Sequence, residues 1–242
     1  MTALVIGGGS GIGAALVARY RAADVPVVVW DIAGDHDIRC DISDPQQIDE
    51  AMAATLERGT PPDQVTVTAG IGHSGLLLDV TADEWDRVHD INARGVWLAM
   101  RAAARALIDE GARGSIIAVS SVSAHLADRN MGLYCASKAA LNMLVRVAAH
   151  EWGEAGIRVN AIAPGVTRTP MLGRAKPGTA WLGPVEQRTA LGRLGEADDI
   201  AEAIVAVHHL GWVTGQALDC DGGLSLQSPI DSFGWMRSQG LA

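Results

Sequence analysis

Lysine is nearly absent from this 242-residue chain: Lys138 and Lys176 are its two lysines, and arginine supplies the rest of its 19 basic residues. Against 28 acidic residues the formal net charge is −9, and no basic stripe is visible, so neither nucleic acid nor an anionic membrane is an expected partner. Three cysteines, Cys40, Cys135 and Cys220, are odd in number, widely spaced and outside any CxxC or His-paired pattern. That argues against a disulfide frame or a zinc site and points to a reducing cytoplasm. No window approaches the ~18 consecutive apolar residues of a membrane span, and no basic leader precedes the first apolar run. Aromatics are sparse at 4%, with two tyrosines in all. His208 and His209 sit among apolar helical residues and read as an ordinary helix surface, so no metal is expected.

What is present is a foldable composition, 48% apolar and 19% charged. Short β-branched runs alternate with Ala-rich segments from end to end, the pattern of βαβ units feeding a parallel sheet. The expected strands are 3–6, 25–30, 64–68, 115–119, 158–162 and, more weakly, 217–219. The expected helices are 12–22, 46–58, 82–90 running on through 92–110, 133–152 and 197–209. No composition break divides them, so the expectation is one α/β domain over 1–242, a doubly wound, Rossmann-like parallel sheet. Two stretches lack periodicity, a Pro/Gly-rich loop over 168–194 and the tail 228–242. The helices around 96–106 and 136–149 are apolar on more than one face, which favours burial against another subunit.

After the first strand comes Gly7-Gly8-Gly9-Ser10-Gly11-Ile12-Gly13 and then a helical pattern. Glycines allow a tight turn and close backbone approach to a pyrophosphate, while the helix N-terminus supplies free N–H groups and positive dipole. The order strand, glycines, helix, strand makes this a dinucleotide signal. The second strand ends at Asp31, eighteen residues beyond Gly13, where a carboxylate can accept both hydroxyls of an adenosine ribose. A 2′-phosphate there would meet a like charge, and neither Ser10 nor Ile32 offers a cation, so NAD is favoured over NADP.

Tyr134 and Lys138 stand four apart on a helical pattern, projecting from one face. A nearby ammonium favours phenolate and draws a tyrosine toward the working pH. With these residues on the page the chain resembles the short-chain dehydrogenase/reductase family, in its compact branch of about 250 residues. The resemblance runs through Gly7-x-x-x-Gly11-Ile12-Gly13, Cys40-Asp41-Ile42, Ala69-Gly70, Asn92-x-x-Gly95, Ser120-Ser121, Tyr134/Lys138, 157–160, Pro164-Gly165 with Thr169, and Asp221-Gly222-Gly223.

The resemblance implies that Tyr134 is the general acid or base, that Lys138 lowers its pKa and binds the nicotinamide ribose, and that Ser121 steadies the substrate oxygen, with Ser120 the competing candidate. It implies that Asn92 holds a water linking Lys138 to solvent. For the cofactor it implies Gly7, Gly9, Ser10, Gly11, Ile12 and Gly13 at the pyrophosphate, Asp31 and Asp41 with Ile42 on the adenosine side, Ala69 and Gly70 beside its ribose, and Pro164, Gly165, Val166 and Thr169 at the nicotinamide. The family's Thr at position 6 is Ile here, and its Asn-Asn pair before Ala69 is Val67-Thr68, which puts local rigidity in doubt. Residues 33–39 are too few for the usual helix after the second strand.

Expected pocket walls are Ser123, Ala124, His125, Met131, Leu133, Met171, Leu172, Trp181 and Leu182, mostly apolar, which fits a hydrophobic secondary alcohol or ketone. His125 either binds a polar substituent or faces solvent, Arg174 and Lys176 read as a solvated lid, and Trp235 either covers a neighbouring subunit's pocket or packs. The leading expectation is an NAD-dependent oxidoreductase on a small-molecule substrate, a homotetramer by family resemblance. The alternatives are a 3-oxoacyl-thioester reductase and a non-catalytic NAD(H)-binding regulator.

Overall fold

The computed structural model describes residues 1–173, 181–226 and 232–240. In chain order the elements are β1 (Ala3–Ile6), α1 (Gly11–Ala22), β2 (Val27–Asp31), β3 (Ile38–Arg39), α2 (Pro45–Leu56), β4 (Gln64–Val67), α3 (Ala82–His89), α4 (Val96–Asp109), β5 (Gly114–Val119), α5 (Gly132–Trp152), β6 (Ile157–Pro164), β7 (Thr167–Arg168), α6 (Leu182–Arg188), β8 (Gly195–Glu196), α7 (Ala197–His209), β9 (Ala217–Cys220) and α8 (Ser232–Ser238). Seven strands form one sheet in the order β3-β2-β1-β4-β5-β6-β9, every pairing parallel.

Strand side chains alternate between two cores, as a two-residue period requires. Leu4 and Ile6 of β1 join the α2, α4 and α5 side, while Ala3 and Val5 join Leu16 and Val17 of α1 and Ile200 and Ile204 of α7. Fully buried side chains such as Leu107, Leu141 and Ile116 contribute about 1.5–3 kcal/mol each. Helix starts follow local chemistry. Asp44 accepts from the Gln46 N–H at 2.9 Å with Pro45 in the first turn of α2, and Thr81 and Glu84 form a reciprocal capping box at α3.

Sequence expectation and structure part at particular places. Between α3 and α4 the run is wound as a π-turn over Asp90–Gly95, and Gly95 at its end leaves room for the Ile42 carbonyl, which a Cβ there would meet at 2.6 Å. The aperiodic 168–194 loop carries α6, and the tail carries α8. His208 is buried rather than on a helix surface. Its Nε2 pairs with the Thr66 hydroxyl and its Nδ1 with the Ser115 hydroxyl, both at 2.9 Å, tying α7 to β4 and β5. Arg174 and Lys176 lie outside the described residues.

Candidate active site

The sheet order reverses between β1 and β4, and chains leaving those two strands open the crevice where ligands bind in such sheets. From β1 comes the glycine loop. A Cβ on Gly13 would collide with the Gly7 carbonyl, and Gly7 has φ +88° with the Ala69 backbone against it. Thr68, expected to loosen this region, instead clamps it: its hydroxyl donates to the Gly7 carbonyl at 2.8 Å. Ser10 at the start of α1 makes no side-chain cap, and the first turn contains no acidic residue. The N–H groups of that turn therefore stay available to an anion.

At the end of β2, Asp31 takes the Gly9 N–H at 2.7 Å on one oxygen and the Ile32 and Ala33 N–H groups at 2.7 and 3.1 Å on the other. The carboxylate thus folds its own loop against the glycine loop. Asp41 accepts from the Ser43 N–H and hydroxyl at 2.9 and 2.7 Å, and Ile42 is buried behind it. Thr169 and Pro170 lie across Gly11, and Met171 reaches the edge of Gly72, so the chain after β7 straps across the crevice.

The chemistry-bearing groups gather where β4 and β5 end. Ser121 follows β5 and opens a short 3-10 turn, accepting the Ser123 N–H at 3.1 Å. Its hydroxyl acts on the Tyr134 phenol, which α5 presents from its first turn, in the direction that favours the ionised form. Ser120 is buried with its hydroxyl unpartnered, so the geometry brings Ser121 to the phenol and leaves Ser120 aside. Lys138, one turn on, is buried with its Nζ 5.8 Å from the Tyr134 ring centroid and donating to the Val119 carbonyl at 2.8 Å.

Burial lowers the Lys138 ammonium to about 8. Burial also pushes the Tyr134 phenol up, and the Ser121 hydroxyl offsets part of that rise. This differs from the expectation of a depressed tyrosine. The ammonium is bound to a carbonyl rather than to the phenol, and desolvation of the phenolate outweighs it.

Asn92 is fully buried on the π-turn. Its amide oxygen accepts the Ile71 N–H at 2.8 Å, and its nitrogen donates to the Ile71 carbonyl at 2.9 Å and the Ser137 hydroxyl at 3.2 Å. The Asn92 oxygen and the Lys138 Nζ would lie 3.2 and 3.5 Å from a Cβ on Gly70, so Gly70 is the bare floor between them. Pro164 ends β6 opposite Cys220, and Gly165 is where Asp221 packs, 2.8 Å from any added Cβ. Val166 lines a cavity of about 230 Å³ shared with Cys220 and Ile200.

Among the expected pocket walls, Leu133 and Leu182 belong to the buried interior, and Ser123 is held by Asp128 at 2.5 Å. Met171 and Trp181 are exposed. His125 faces Asp219 at 3.3 Å. The Val119 carbonyl, Thr68 and Ser137 escaped the sequence reading. A backbone carbonyl leaves no sequence signal, but a hydroxyl at the end of β4 facing a glycine turn is one that Thr68 offered.

The residues present fit a nicotinamide dinucleotide: an uncapped helix N-terminus for the pyrophosphate, a carboxylate at the end of β2 and a buried cation beside the phenol. Over residues 7–225 the chain matches the family described as enoyl-(acyl carrier protein) reductase. A 2,5-dichloro-2,5-cyclohexadiene-1,4-diol dehydrogenase of Sphingobium indicum is 36% identical, over 93% of this chain and 96% of its own. A (3R)-3-hydroxyacyl-CoA dehydrogenase of Canis lupus familiaris is 33% identical, over 92% and 95%. A solved short-chain type dehydrogenase/reductase from Mycobacterium marinum superposes with a TM-score of 0.86 at 30% identity, covering 93% of this chain and 96% of that one.

Proposed function

Since the chain belongs to the short-chain dehydrogenase/reductase family, oxidoreductases that act on CH–OH groups with a nicotinamide cofactor, we propose that it oxidises a hydrophobic secondary alcohol, or reduces the matching ketone, using NAD in preference to NADP. The observation that carries this is the Tyr134 phenol with the buried Lys138 ammonium 5.8 Å from its ring centroid and the Ser121 hydroxyl acting on it, where β4 and β5 end. When bound, the nicotinamide accepts or donates the hydride.

The protein's part is proton handling and placement. Ser121 holds the substrate oxygen, and Tyr134 donates a proton to it in reduction or takes one in oxidation. Lys138 supplies the positive charge beside the phenol and a donor for the nicotinamide ribose. Asn92 fixes the Ile71 loop and α5 in one arrangement, and in the relay reading it holds the water through which Lys138 exchanges protons.

The two relatives, named for a cyclohexadiene diol and a 3-hydroxyacyl thioester, both carry a hydroxyl on an apolar carbon frame, which supports the substrate class. The second of them favours a 3-hydroxyacyl or 3-oxoacyl thioester as the specific alternative. Ile108 of α4 and Met143 and Val147 of α5 are exposed apolar side chains. These support a homotetramer built through those two helices.

The test follows nicotinamide absorbance with apolar ketones, alcohols and acyl thioesters, using NAD(H) and NADP(H) side by side. Turnover that prefers NAD(H) and falls at least a thousandfold in Tyr134→Phe is the expected result. Saturable NADH binding with no turnover across the panel would favour a non-catalytic NAD(H)-binding regulator.

A further inference from the structure

At the opposite end of the strands, where β4, β5 and β6 begin, lies a cavity of about 650 Å³ bounded by Asp63, Arg113, Ser115, Arg158, His208 and Trp212. Its volume is that of small-molecule sites, about 300–1,000 Å³. The six residues of β5 separate it from the catalytic serine by roughly 20 Å at ~3.3 Å per residue, so it is no extension of the crevice.

Three of its walls carry side chains that meet no carboxylate or ring among the described residues. Arg158 donates to the His208 and Val213 carbonyls at 2.6 and 3.3 Å, closing the end of α7, and meets no carboxylate among the described residues. Arg113 is likewise without an ion pair among them. Its position is nevertheless set: Gly156, with φ +76°, leaves the space its stem crosses, and a Cβ there would lie 2.8 Å from Arg113 Cγ. Trp212 is 99% exposed, an indole with nothing laid on it.

The single carboxylate in the wall, Asp63, accepts the Thr2 N–H at 2.8 Å. His208 has both ring nitrogens bonded and burial holds it neutral. The wall therefore carries a net positive charge in a chain of net charge −9.

We propose that this cavity binds a small planar aromatic carboxylate, its carboxylate on the Arg113 and Arg158 guanidiniums and its ring on Trp212. Guanidinium matches carboxylate in planar, two-point hydrogen bonding, and an exposed indole gains from covering by a flat ring. A neutral aromatic lacks the first interaction and a saturated-ring acid lacks the second.

The experiment is calorimetric titration of the full chain with 2-naphthoate, 2-naphthamide and cyclohexanecarboxylate. The expected result is saturable 2-naphthoate binding, at least fivefold weaker for the other two compounds, weakened at least fivefold by Arg113→Gln and by Trp212→Ala, and unchanged in Tyr134→Phe. Both cavity variants alter exposed side chains, and equal thermal melting checks their folding. Should Trp212→Ala fail to fold, Arg113→Gln with the amide comparison decides. Absence of saturable binding, or binding that Arg113→Gln leaves unaltered, overturns the proposal, as does loss of binding in Tyr134→Phe, which would put the ligand in the catalytic crevice.

Discussion

At the scale of single residues, two side chains at the candidate site hold roles in tension. Asp31 has roughly four acceptor positions and gives three of them to its own chain, at Gly9, Ile32 and Ala33. It organises the glycine loop, and in the proposed function it also faces the adenosine ribose. Asp31→Ala is expected to weaken NAD binding about tenfold and to narrow the gap to NADP, read by fluorescence titration with both. An unchanged ratio would remove Asp31 from cofactor choice. Lys138 is a buried cation whose ammonium burial lowers from 10.5 to about 8. Below pH 8 both folded and unfolded chains carry the proton, and the folded one bears the desolvation cost. Between 8 and 10.5 the unfolded chain binds more protons, so stability rises with pH. Lys138→Met is expected to abolish turnover yet raise stability at pH 7 by roughly 1–2 kcal/mol, after the loss of the Val119 bond is subtracted. In urea unfolding that gain should vanish as pH approaches 10.5, and a destabilised variant at pH 7 would contradict it.

At the scale of elements, legibility followed periodicity. β1, β4, β5 and β6 announce themselves as β-branched runs, and the short connection at 33–39 was read without a helix, as the turn leading into β3 shows. β3, β7 and β8 have two residues each, too few to carry a period, and owe their existence to the neighbouring strands. The π-turn left no sequence signal, since its residues continue the helical pattern and the Ile42 carbonyl packed against Gly95 is remote in sequence. Tyr134 and Lys138 stood out through their spacing and Ser121 through the family resemblance, while the carbonyl that aims Lys138 left no signal. His208 shows the same limit: read as surface, it is the pin between α7 and two strands. Burial lowers it from 6.5 to about 3, with the Arg158 and His209 charges adding to the effect. Between those pH values the unfolded chain binds the extra proton, so the stability that neutral His208 contributes is complete above pH 6.5 and is lost as pH falls. His208→Gln is expected to be less stable than wild type by about 1–3 kcal/mol at pH 7. The gap should shrink by roughly 2 kcal/mol at pH 5, measured by urea midpoints at the two pH values. A gap that stays constant would mean His208 titrates normally.

At the scale of the whole molecule, the two faces of the sheet are finished differently. On one face α1 and α7 close over a core and are linked outside by Arg19 with Asp198 and Glu202. On the other, α4 and α5 bury strands beneath them and still expose Ile108, Met143 and Val147, while Leu78 on the preceding loop is 98% exposed. A chain of net charge −9 is kept apart from its copies by charge unless apolar area compensates, and this face is where such area lies. Two-fold pairing would place the same patch on both sides of the contact, so one substitution acts twice. Light scattering of the full chain is expected to give four times the chain mass. Met143→Glu with Val147→Glu, adjacent turns on one α5 face, would bury four like charges at each two-fold contact and should reduce the assembly to a smaller species at unchanged helical content. A wild-type monomer in solution would refute the assembly. An intact tetramer carrying both glutamates would move the interface off α5.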